Sequence, residues 1–400
     1  MNQKPVILQA ALQGATPLHE AGANTREDDP MKKTDHAIHR SSCGCSQGPS
    51  QGQVYGSDAV AFSRRGILTG AAALGTIGAL GVGLGGRSMA QGAPHRIDVH
   101  HHITPPAWLE AVKKAKKDNP PLANWSVAKS IEDMDKAGIA TSITSPTTPQ
   151  LGFLPPAEAL AISRASNEYA KTLESDHKGR FGTFAMLPLP HIDETLKAIE
   201  YAFDTLKVDG AGIMTSYGTK WLGDKHFEPV WAELNRRKAT VYTHPTGADC
   251  CVNLQPEIPD SAIEYGTDTT RSLAQLIFNG TASKYPDINW IWSHGGGALT
   301  AFAERFLIQL PNSAYRGKIS REDVQGHLNK FYYDTAQVSG AGTLQALAKL
   351  VPVSQIVYGT DYPYRTGADH TKGVTSAFSG AELAAVDRGN ALRLVPRFKA

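Results

Sequence analysis

From Arg96 onward, short β-branched runs alternate with amphipathic stretches, and this rhythm constrains the fold more than any other feature of the chain. Strands are predicted at 96–100, 139–145, 181–187, 211–215, 240–244, 288–293, 331–334 and 355–359. Helices are predicted at 131–137, 156–177, 191–206, 226–237, 267–283, 297–309 and 341–350, with a last one near 381–394. The first of them stops at Gly138, the residue type that most readily takes the left-handed turn after a helix. Eight strands, mostly followed by helices, over about 300 residues give the count and size of an α/β protein of the (β/α)8 TIM-barrel type. A doubly wound open sheet is the competing arrangement, but no glycine-rich phosphate loop follows the first strand. Long connections at 215–225 and 246–266 are expected to wall a site, because loops of that length in a compact domain are usually functional.

The N-terminal part reads differently. Residues 1–62 are rich in Gly, Ser, Gln, Asn and Asp without a sustained apolar period. Such a stretch buries too little apolar surface to offset the entropy of ordering it, and is expected to be disordered. Over 63–90, Ser63-Arg64-Arg65-Gly66-Ile67-Leu68 leads a Gly/Ala-rich apolar run to Leu84, closed by Ser88-Met89-Ala90. Paired arginines before a weakly apolar segment and a small-residue cleavage site resemble a twin-arginine export signal. A transmembrane anchor is the alternative. The run is near the minimum spanning length of about 18 residues, but half of it is Gly, Ala or Thr, so insertion would be poor. The expectations are therefore no stable membrane anchor, engagement of the twin-arginine machinery, a periplasmic or secreted location, and cleavage near Gln91. Met31 is an alternative start. Residues 91–400 then form one domain.

Cys43 and Cys45 would leave with the signal, and the neighbours Cys250 and Cys251 rarely pair because the ring strains the peptide between them. A net charge of +2 with 20% charged residues argues against a polyanion-binding protein and hence against nucleic acid as a partner.

Chemistry concentrates where strands end. The first closes in Asp98-Val99-His100-His101-His102, and residues i and i+2 of an extended chain face the same way, so His100 and His102 can share one metal while His101 points away. Thr243-His244-Pro245 closes the fifth strand, Ser293-His294-Gly295-Gly296-Gly297 the sixth, and Gly359-Thr360-Asp361-Tyr362-Pro363 the eighth. Any one could be a satisfied core residue. Together they mark the C-terminal face, where barrel enzymes carry their active sites.

On these motifs the stretch from Arg96 to Arg397 resembles the amidohydrolase superfamily, in the branch of aminocarboxymuconate semialdehyde and salicylate-type decarboxylases. The resemblance implies that His100, His102, His244 and Asp361 bind one divalent metal, zinc or else manganese. It implies that His294 is the unliganded acid/base beside the metal, and that Arg305 reaches the substrate carboxylate across a dimer interface. Loss of CO2 needs a catalytic acid at the ring carbon, and the sequence does not choose between His294 and the metal-bound Asp361. Tyr364 is taken as a second substrate contact. Further segments, Thr215-Ser216-Tyr217-Gly218, Glu264-Tyr265-Gly266-Thr267-Asp268-Thr269-Thr270-Arg271 and Arg388-Gly389-Asn390-Ala391, are similar to 6-methylsalicylate decarboxylases.

The function expected is non-oxidative decarboxylation of a small aromatic carboxylic acid, in a homodimer or a dimer-based oligomer. Hydrolysis of a lactone, ester or amide at the same metal is the alternative, because one scaffold hosts many reactions. A metal-binding protein without catalysis ranks third, since a storage site has no use for His294.

Overall fold

The computed structural model describes residues 95–309 and 318–399. The N-terminal region 1–62, expected to be disordered, and the segment 63–90, expected to be an export signal, lie outside the described residues. Among those described, no helix is long and apolar enough to cross a membrane.

Among the described residues ten strands occur in chain order: β1 (Arg96–His102), β2 (Ile139–Ser145), β3 (Phe181–Met186), β4 (Gly210–Met214), β5 (Ser216–Tyr217), β6 (Lys220–Trp221), β7 (Thr240–His244), β8 (Asn289–Trp292), β9 (Tyr332–Asp334) and β10 (Ile356–Val357). Eight of them form one sheet in the order β1-β2-β3-β4-β7-β8-β9-β10. Every pair in that sheet is parallel. The seam between β10 and β1 is joined by backbone bonds from Val99 to Tyr358 O (3.0 Å), Asp361 to His100 O (2.9 Å) and His102 to Tyr362 O (2.8 Å). The result is a nearly closed (β/α)8 barrel, as the strand rhythm predicts.

Side-chain alternation sorts the core into two layers. Ile97, Val99, Ile143, Phe184, Tyr242, Ile291, Tyr332 and Val357 fill the barrel, with the C-terminal residues Leu394, Val395 and Phe398 packed against them. Trp290 and Trp292, flanking Ile291, belong instead to the outer layer between sheet and helices. Local signals set the helix ends: Val127–Ala137 begins with the Ser126 hydroxyl accepting from Lys129 N–H and ends at Gly138 with φ 67°.

Three expectations are corrected. The connection at 246–266 is shorter, because the following helix begins at Asp260 and runs to Phe278, rather than beginning at 267. The connection at 215–225 holds the β5–β6 hairpin. The last predicted helix is broken into Gly380–Ala384, a π turn at Ala385–Gly389 and Ala391–Leu394.

Candidate metal centre and its cavity

The end of β1 is pinned by Asp98. Its buried carboxylate accepts from the backbone N–H of His100 (3.0 Å) and of Thr360 (3.0 Å), and from the Thr360 hydroxyl (2.7 Å). One side chain thus ties the strand bearing two imidazoles to the turn bearing Asp361. His101 leaves this face, as the alternation requires: it bonds Asp98 and Ser130, and its ring stacks on Tyr362 at 4.7 Å.

His100, His102, His244 and Asp361 converge at the C-terminal ends of their strands. The Nε2 atoms of His100 and His102 are 3.2 Å apart. Asp361 Oδ1 lies 3.2 Å from His100 Nε2, 3.0 Å from His102 Nε2 and 4.0 Å from His244 Nε2. Ligands held about 2.1 Å from one ion at tetrahedral angles are roughly 3.4 Å from one another, so these spacings fit a single small cation.

The outer nitrogens agree with that fit. His100 Nδ1 donates to Asp334 Oδ2 at 2.7 Å, His102 Nδ1 to Ser145 O at 3.1 Å, and His244 Nδ1 to Pro245 O at 2.8 Å. An imidazole that donates through Nδ1 is oriented to offer Nε2 to a metal, and here all three Nε2 atoms belong to one buried cluster.

His294 sits beside the cluster on the other carboxylate oxygen. Its Nε2 is 3.4 Å from Asp361 Oδ2, is buried and makes no hydrogen bond. By distance alone it joins His100, His244 and Asp361 in a group whose ligand atoms lie within 4.8 Å of one another. What separates it is orientation: Oδ1 faces the other three imidazoles, and Oδ2 faces His294 and the Gln337 amide, which donates at 2.7 Å. His294 and Asp361 both have left-handed backbones, at φ 54° and 66°. Non-glycine residues rarely take that conformation, and it recurs where a site dictates the geometry. After His294 the chain must pass a helix closely: a Cβ on Gly297 would lie 2.2 Å from Gly266 O.

Electrostatics follow from burial and two carboxylates. Burial pulls the His100 pKa down, but Asp334 and then Asp361 outweigh it and raise it to about 10. Burial dominates at His244, and its charged imidazole neighbours add to it, holding its pKa well below the ordinary range. Burial would push Asp361 up, yet His100 and the surrounding imidazole donors hold it well below the usual carboxylate range. A proton on His100 thus balances buried carboxylates, and a divalent ion would displace it.

A cavity of about 660 Å³ opens above Asp361 and His294, with Thr147, Thr148, Gln337 and Tyr364 as polar walls and Val338 and Pro121 as apolar ones. Tyr364 sits at this mouth, its hydroxyl accepting from Asn119 Nδ2 at 3.1 Å. Arg305 is exposed on the helix Leu299–Gln309 and does not line the cavity. No lysine or arginine does, among the described residues.

Two residues of the site escape the sequence reading. Asp334 bonds His100 and also accepts from the backbone N–H of His294 at 2.8 Å. It closes β9 as a polar residue at a strand end, the same signal that marks the others. Gln337, in the loop beyond it, carries no such signal.

Residues 97–397 match the family described as Amidohydrolase, and the chain belongs to that family. It is 38% identical over 325 residues to the decarboxylase yanB of Aspergillus niger, which covers 76% of this chain and 88% of that protein. It is 33% identical over 318 residues to the 6-methylsalicylic acid decarboxylase of Penicillium expansum, covering 76% and 97%. Among solved structures, the 5-carboxyvanillate decarboxylase of Novosphingobium aromaticivorans, complexed with manganese, shares the fold. It has a TM-score of 0.68 at 18% identity, covering 78% of this chain and 97% of that one.

Proposed function

We propose that this protein is a metal-dependent, non-oxidative decarboxylase of a small aromatic carboxylic acid of the salicylate type. The observation that carries the reading is the buried cluster of three imidazoles and one carboxylate, opening on a cavity with His294 on the second oxygen of Asp361. The decarboxylases that align with most of the chain support it.

His100, His102 and His244 through Nε2, and Asp361 through Oδ1, would hold one divalent ion, zinc or manganese. When bound, the ion supplies Lewis acidity toward the neighbouring phenolate and carboxylate oxygens of the substrate. His294 is the proton donor in this reading, since its Nε2 makes no hydrogen bond, lies on the second oxygen of Asp361 and lines the cavity. Its imidazolium gives a proton to the ring carbon that bears the carboxylate. The bond to the carboxylate carbon then breaks, CO2 leaves, and the electron pair of that bond restores the aromatic ring. Asp361 Oδ2 and Gln337 keep the donor and its neighbour in register.

A carboxylate needs a cation, and the absence of lysine and arginine from the described walls supports a second copy as its source. Arg305 is exposed on a helix that also exposes Phe302 and Ile308, side chains that favour burial against a partner. Arg305 of one subunit is thus assigned to the mouth of the other.

The experiment is to incubate metal-loaded protein with hydroxybenzoates and with lactones, and to follow CO2 and acid release separately. Decarboxylation of an ortho-hydroxybenzoate with equal phenol formation is expected. Acid release from lactones, with no CO2 from any hydroxybenzoate, would install the hydrolase reading instead.

Export by the twin-arginine route is proposed for the precursor, on the strength of Arg64-Arg65 and the weakly apolar run behind them. Changing both arginines to lysine should leave precursor in the cytoplasm. An unchanged periplasmic yield would remove this route.

A further inference from the structure

Two of the segments that carry the narrower resemblance, 215–218 and 264–271, meet in the fold at one side chain. Asp268 is 1% exposed. Its Oδ2 accepts from the hydroxyls of Thr215 and of Ser216, the latter at 3.0 Å, and its Oδ1 accepts from Trp221 Nε1 at 2.6 Å. Thr215 also donates its backbone N–H to His244 O at 2.9 Å.

Thr215, Ser216 and Trp221 belong to the β5–β6 hairpin region, and Thr215 ties that region to the end of β7 at His244. Asp268 itself is on the helix Asp260–Phe278, whose first turns present Ser261, Tyr265 and Gly266 to the cavity. The same helix holds the loop that follows His294: Ala298 N–H donates to Thr270 Oγ1 at 2.9 Å and to Gly266 O at 3.2 Å. Thr246 Oγ1 in turn lies 3.1 Å from Thr148 Oγ1 on the opposite wall. This helix therefore joins the connections carrying His244 and His294, and Asp268, through Thr215, is its attachment to the first.

An apolar side chain of similar volume would leave the Thr215, Ser216 and Trp221 donors without their acceptor, so the carboxylate contributes to stability as well as to position. Several donors converging on one acceptor fix relative positions more tightly than apolar packing does.

We infer that Asp268 is a positioning residue for substrate binding: it sets the distance from the Tyr265 wall to His244, and so the grip of the cavity on the substrate ring. The inference rests on the decarboxylase reading of the site.

The test is Asp268→Asn in the metal-loaded full chain. The change keeps the shape but turns one accepting oxygen into an NH2 facing donors. Metal content should stay at the wild-type level, KM for the hydroxybenzoate should rise about tenfold, and kcat should change less than about threefold. Trp221→Phe removes one donor and spares the carboxylate, which keeps the question answerable if the first variant folds poorly; a smaller rise in KM is expected. In the double variant the effect on KM should fall short of the product of the single effects, as for residues sharing one network. A lowered melting temperature with KM unchanged in both single variants, or independent effects in the double variant, would overturn the positioning role while leaving the decarboxylase reading intact. A wild type that decarboxylates no hydroxybenzoate would remove that reading and this inference with it.

Discussion

His294→Ala is expected to lower turnover by about 10²–10⁴-fold, the usual contribution of a positioned general acid, and to leave one metal bound per chain. The expectation follows from the two faces of Asp361. Oδ1 is 3.0–3.2 Å from His102 and His100, so the cluster survives without His294. The imidazole Nε2 of His294, buried and without a hydrogen bond, is removed from the cavity side alone. Metal analysis beside single-turnover CO2 release separates the two roles. Loss of the metal in this variant would make His294 a ligand rather than the acid. Arg305→Ala supplies the complementary defect, since its side chain would serve the neighbour's site. Mixing the two inactive variants under conditions of verified subunit exchange should restore part of the activity, because some sites in the mixed dimer carry both residues. No recovery would place Arg305 outside the partner's site.

Asp361→Ala should abolish both metal retention and CO2 release. Among the described residues, the substitution removes the carboxylate that faces His100, His102 and His244 together, leaving Asp334 behind His100 as the one anion bonded to these imidazoles. Wild-type protein should gain melting temperature when metal is added, and the variant should not. The wild type should also show a pH signature. His100 is raised to about 10 by Asp334 and Asp361, so the metal-free cluster carries a proton at neutral pH that the incoming ion must expel. Apparent metal affinity should therefore fall as pH falls, by about tenfold per unit for one displaced proton. Full metal content in Asp361→Ala, or an affinity indifferent to pH between about 6 and 8, would contradict this account.

Strands 139–145 and 240–244 are predicted with their observed bounds, because alternation and β-branching are properties of neighbouring residues. The same locality makes the metal cluster legible: polar residues at successive strand ends must share one face of a parallel barrel. The helix Gly367–Ala377 is not predicted, since its sequence carries two glycines and no apolar period. What starts it is the Thr366 cap, together with Asp133, which accepts from Gly367 N–H at 2.9 Å from a position 234 residues earlier.

By itself, then, the sequence determined the barrel, the face that bears the chemistry and the residues that converge there, because each rests on periodicity within a few residues. Tertiary structure alone decided which oxygen of Asp361 faces the imidazole cluster and which faces His294. It also decided that Asp334 orients His100 and that Asp268 joins the hairpin to the cavity helix. Those are contacts between side chains brought together only when the sheet curls nearly closed, and no local pattern encodes the direction in which a carboxylate turns.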